Sequence, residues 1–224
     1  MLLVVFFTCA LALGCAAVAS SASAPLVTAT LGPNQSPTLV NRLQSELALA
    51  DSEMQAARQS ATLAEARHHA EAVVNILVGK FGRWYGDQDG DGATNDPSDG
   101  SGVLPGEKIP EAAPDAPAEF PFGAALVVYS SNASSQRAIQ TILGDVTQWR
   151  VRPRLGYDTV ERALAGTDLT RDAVSKLNGS VPRAVVWARL ILTRARSINE
   201  AQTYVERGLL STRAALDAAR SIAV

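Results

Sequence analysis

The chain has 224 residues, 47% of them hydrophobic and only 5% aromatic, with 20 basic residues against 22 acidic ones, enough for a real core built from Ala, Leu, Val and Ile. Its only cysteines, Cys9 and Cys15, lie in the leading apolar run and its only histidines are His68 and His69, which excludes disulfides in the mature chain, thiol catalysis and CxxCH haem attachment. Residues 85–119 carry nine acids and one lysine, a local −8, while the rest holds 19 basic and 13 acidic residues so dispersed that nucleic-acid binding gains no support.

The opening MLLVVFFTCALALGCAAVAS is an uncharged apolar stretch that gives way at once to small residues. It reads as a secretory signal peptide over residues 1–19 rather than a membrane span, which wants about 20 apolar residues. Two processing sites compete. Ala17-Val18-Ala19 fits an A-x-A cleavage site, whereas Leu13-Gly14-Cys15 resembles the lipobox of bacterial lipoproteins. That resemblance implies lipidation of Cys15 and an exported, extracytoplasmic protein anchored to a membrane at the cell surface or in the periplasm. It is the expectation taken forward, with free secretion after Ala19 as the alternative. Residues 20–37 then have the small, polar, proline-punctuated composition of a flexible tether.

From Thr38 the pattern turns helical, with Leu39, Leu43, Leu47, Ala50, Met54, Ala57 and Ala61 at alternating three- and four-residue steps. Thr62-Leu63-Ala64-Glu65 matches a capping box, so two helices are expected, about 37–59 and 62–79, with one long bent helix as the alternative. Prolines and glycines break all periodicity over 80–123, a long irregular insertion. Helical spacing returns near Ser134, where Ile139, Ile142, Leu143, Val146 and Trp149 share a face until Pro153. Asp158 is expected to cap a following helix carrying Val160, Leu164, Leu169 and Val174. Pro182 stands in the first turn of the next helix, and Ser197-Ile198-Asn199-Glu200 is a second capping box before the seam Ile198, Val205, Leu209, Leu216 and Ile222. The expected fold is all-α, a bundle of about five or six helices spanning 38–224 with the insertion inside it. LVVYS at 126–130 is too short to suggest a sheet.

The front of the insertion reads WYGDQDGDGATNDPSDG, residues 84–100. Alternate aspartates in a tight turn converge their carboxylates, and a glycine at the sixth position permits a sharp bend round an ion. Asp87, Asp89, Asp91 and Gly92 therefore resemble the DxDxDG start of an EF-hand calcium loop. The resemblance covers about 13 residues and implies a bound Ca²⁺ cofactor, with Asp87, Asp89 and Asp91 as carboxylate ligands, Ala93 as a backbone-carbonyl ligand and Asn95 as a ligand through water. The twelfth position, where a bidentate acid belongs, is Ser98. Asp99, one residue late, is the expected substitute, with Asp96 as second candidate. The loop also lacks an exiting helix, and so is closer to the stand-alone Asp-rich calcium loops of extracytoplasmic bacterial proteins than to a paired sensor. Affinity in the range of roughly 10⁻⁴ to 10⁻³ M and a structural, stapling role are expected, with Trp84 and Tyr85 as the hydrophobic anchor.

Glu65-Ala66-Arg67-His68-His69-Ala70-Glu71 contains one ExxH, the pair that di-iron bundles use twice. With two histidines in the chain a second ExxH cannot exist, and HExxH, GxSxG, P-loop and GxGxxG patterns are absent. Two functions remain: a structural or partner-binding module carrying one calcium loop, and, as the alternative, a metal-dependent enzyme or redox protein built on His68, His69 and carboxylates such as Glu65 or Glu71. The partner of the bundle, whether protein, small molecule or envelope material, is not readable from these residues.

Overall fold

The computed structural model describes residues 36–104, 106, 133–144, 153–165, 174 and 177–222, all within the unit Leu31–Val224. The signal and lipidation site at Cys15, the tether up to residue 35, and LVVYS lie outside the described residues; Ser36 and Pro37 already belong to the first helix.

Six helices and no strand occur among the described residues: α1 Ser36–Gln59, α2 Leu63–Val78, α3 Ala133–Leu143, α4 Pro153–Ala165, α5 Ser180–Thr193 and α6 Ile198–Arg220. The all-α bundle is as expected. Contacts run α1 to α2, α2 to α5, α5 to α6 and α6 back to α1, closing a four-helix ring; α3 packs on α5 and α6, and α4 on α5. No helix among the described residues is long and apolar enough to cross a membrane.

The α1 seam behaves as its spacing predicts, since Leu39, Leu43, Leu47, Ala50, Met54 and Ala57 are all buried. Ala61 instead follows the helix end and is exposed. The chain breaks between α1 and α2 because Thr62 is a complete N-cap: its hydroxyl accepts from Glu65 N at 3.2 Å and Glu65 Oε2 accepts from Thr62 N at 3.1 Å. At α6 Ser197 likewise accepts from Glu200 N, but Glu200 reaches back to Arg196 N rather than to the cap residue. Helix α5 is apolar nearly all round, with Ala184, Val185, Val186, Ala188, Leu190 and Ile191 fully buried, as a helix surrounded by others must be.

One boundary departs from expectation. Asp158 does not cap a helix, because α4 already begins at Pro153. A proline that cannot continue one helix is well suited to open another, its missing N–H being an unbonded one in any first turn. Asp158 therefore lies inside α4, where it and Glu161 pair with Arg83 at 2.9 and 2.7 Å. The preceding helix ends at Leu143; Val146, Trp149 and Leu169 lie outside the described residues.

The described front of the insertion, residues 80–102, leaves and returns at one point. Leu77 O accepts from both Val103 N and Leu104 N at 2.9 Å, and Lys80 N donates to Gly100 O at 2.9 Å. Gly79 and Gly102, both at positive φ, touch so closely that a Cβ on Gly79 would lie 2.6 Å from Gly102 N. Val103 and Leu104 then enter the core.

Candidate metal centre

In α2 the run Ala70 to Val78 is buried throughout, and it includes two polar residues, Glu71 at 1% exposure and Asn75 at 0%. They stand one turn apart on the same face. Burying a carboxylate or carboxamide is costly unless its hydrogen-bonding groups are met, and the insertion meets them. Glu71 Oε2 accepts from Gln88 N and from Asp89 N at 2.9 Å, while Oε1 accepts from Asn95 N at 2.8 Å. Asn75 Nδ2 donates to Gly86 O at 3.2 Å and Asn95 O at 3.0 Å, and its Oδ1 accepts from Gly86 N at 2.9 Å. Two side chains of one helix thus hold both ends of segment 86–95. Asn95 Nδ2 adds a bond to His68 O at 3.2 Å.

Within that segment the aspartates fold the backbone around themselves. Asp87 accepts from Gly90 N at 2.7 Å and Gly92 N at 3.0 Å, Asp89 Oδ1 from Asp91 N at 3.0 Å, and Asp91 Oδ1 from Ala93 N at 2.8 Å. Gly92 takes φ +91°, the bend that the sequence assigns to a glycine there.

Two groups of potential ligand atoms result, each within 4.8 Å of one another: Glu71, Asp87 and Asp89, and His68, Asp89 and Asp91. Asp89 belongs to both. Ala93 is exposed beside them and Asn95 half-buried.

Asp96 and Asp99, expected to supply the last acid, are in neither group and are engaged elsewhere. Asp96 accepts from Tyr85 Oη at 3.0 Å and from Ser98 N and Oγ at 3.0 and 2.6 Å. Burial and this carboxylate push the Tyr85 phenol up to about 12. Asp99 turns to α1, where its Oδ2 lies 2.9 Å from Arg42 Nη2, and its Oδ1 accepts from Ser101 N at 2.8 Å. Burial opposes ionisation of Asp99, yet the Ser101 hydrogen bonds and Arg42 hold its carboxyl below the usual range. Beside it Glu46 of α1, at 3% exposure, is pushed up to about 7 by burial first and by Asp99 second.

Trp84 is buried in the core, edge-on to Tyr157 at 5.2 Å, with Arg189 of α5 5.5 Å over its ring and also bonded to Gln88. The remaining members of the ExxH stretch separate. Glu65 is committed to the cap, where the N–H groups of Thr62 and Ala61 lower its pKa; His69 Nδ1 pairs with Glu53 Oε2 of α1 at 2.8 Å. Only His68 and Glu71 face the loop. Sequence reading weighed Glu71 merely as one possible partner of His68 and did not single out Asn75. The signal for both is a polar residue at each of two positions four apart in the otherwise apolar run 70–78.

Compared with known protein families, curated proteins and solved structures, the chain matches none.

Proposed function

We propose that the loop is an EF-hand-like calcium site with a structural role, in an exported helical-bundle protein that serves as a structural or partner-binding module. The observation that carries this reading is the convergence of Asp87 and Asp89 with the buried Glu71, while Asp91 closes the turn beside them. Hard carboxylate oxygens at this spacing suit Ca²⁺. In this reading Asp87, Asp89 and Asp91 bind the ion, the Ala93 carbonyl and Asn95 complete the loop's share, and Glu71 supplies the acid that Ser98 lacks. Because Glu71 also binds three loop N–H groups, the ion would tighten an arrangement already tied to α2, as a staple does.

Calorimetric titration of the purified protein tests the reading. Heat saturating with Kd of roughly 10⁻⁴ to 10⁻³ M is expected, and it should disappear in Asp87→Asn combined with Asp89→Asn. No heat and no change in melting temperature with several millimolar Ca²⁺ would reject it.

The lipobox-like Leu13-Gly14-Cys15 further supports anchoring of the bundle to a membrane through a lipid on Cys15. Full-length chain expressed in a bacterial host should fractionate with membranes, and Cys15→Ser should release it. Equal fractionation of both forms would exclude this anchor.

A further inference from the structure

The hydrogen bonds inside the loop use one oxygen each of Asp89 and Asp91 and leave the other turned towards α2. Asp89 Oδ1 and Asp91 Oδ1 take backbone N–H groups, whereas Asp89 Oδ2 and Asp91 Oδ2 lie 3.6 and 3.5 Å from His68 Nδ1. His68 precedes Glu71 by three residues on α2, which places both side chains against the same loop.

The spacing is informative because the neighbouring histidine provides an internal standard. His69 Nδ1 closes on Glu53 at 2.8 Å, the length of a charge-assisted hydrogen bond. His68 stays well outside that length from both oxygens. Its separations are instead near the ligand-to-ligand edge of a coordination tetrahedron, about 3.3 to 3.4 Å for metal–ligand bonds of about 2.0 to 2.1 Å. Exposure fits as well: the Asp89 side chain is 7% exposed and forms a floor, and those of His68 and Asp91, at 46% and 47%, form two rims open to water on the remaining side.

We propose that His68 Nδ1, Asp89 Oδ2 and Asp91 Oδ2 form a three-ligand site for a borderline first-row divalent cation such as Zn²⁺ or Co²⁺, with water completing the sphere. Ca²⁺ and Mg²⁺ prefer oxygen alone, whereas imidazole nitrogen suits first-row transition ions. The inference rests on the loop being a divalent-cation site and goes beyond the calcium reading by adding a nitrogen ligand from α2. Since Asp89 and Asp91 serve both arrangements, the two kinds of cation compete.

Co²⁺ provides a spectroscopic probe and Zn²⁺ and Ca²⁺ the competitors, all on the full folded chain. Wild type should develop visible Co²⁺ absorption bands that Zn²⁺ abolishes. His68→Gln should lose them and weaken Zn²⁺ binding by roughly tenfold or more, while Ca²⁺ binding stays within about threefold and His69→Gln behaves as wild type. Zn²⁺ and Co²⁺ binding unchanged in His68→Gln would overturn the inference and leave the calcium reading standing. Zn²⁺ binding that depends on His68 without any Ca²⁺ heat would overturn the calcium reading and leave this one. Absence of every metal signal in a protein with wild-type circular dichroism would overturn both.

Discussion

Glu46 shows how a single buried acid gives the bundle a pH profile. Its carboxyl titrates near 7 rather than at the ordinary 4.5, because burial and then Asp99 disfavour its charge. For a raised folded-state pKa the contribution to stability is complete below the unfolded value and fades as pH rises through the folded one. Between about pH 4.5 and 7 the folded protein therefore loses stability that a neutral side chain would keep. Glu46→Gln should leave the urea midpoint unchanged near pH 4.5 and raise stability at pH 8 by about 1–3 kcal/mol. An equal effect at both pH values would refute the assignment. At this scale the sequence is least legible. The alternate aspartates announce a turn that bonds to its own backbone, since those partners are two to five residues away. Nothing local reveals that Asp99 turns to Arg42, or that Glu71 and Asn75 look outward from an apolar run into a loop not yet closed.

Helices were the most legible elements, and the reason is periodicity backed by caps. The α1 seam and the Val205, Leu209 and Leu216 part of the α6 seam are read from spacing alone, while Ile198 is only partly buried and Ile222 follows the helix end; the break between α1 and α2 is read from four residues, Thr62 to Glu65. Both Thr62 and Glu65 are exposed, so their effect is confined to the helix start. Thr62→Ala should destabilise the fold by about 1 kcal/mol in urea unfolding, with faster amide exchange limited to the first turn of α2. A loss above about 3 kcal/mol would mean that the junction carries more than a cap. The sequence points to Asp158 as the α4 cap, whereas the helix opens at Pro153, because a proline between two helical patterns marks an end from one side and a beginning from the other, and only packing decides which.

For the whole molecule, the insertion is tied to the bundle through more than one helix: Glu71 and Asn75 of α2, Arg42 of α1 beside Asp99, and Trp84 in the core beneath Arg189 of α5. A ligand bound only by the native state adds RT ln(1 + [L]/Kd). For Kd of roughly 10⁻⁴ to 10⁻³ M, 10 mM Ca²⁺ should then add about 1.4–2.7 kcal/mol to global stability over a chelator control. Binding without any such gain would show a site uncoupled from folding. The meeting of Gly79 and Gly102 at the end of α2 has a separate consequence, for how this protein can change over generations. A side chain at either glycine would force the junction apart, and the returning limb is held by Asn95, Asp99 and Gly100, so descendants of this chain should keep both glycines and the spacing between them.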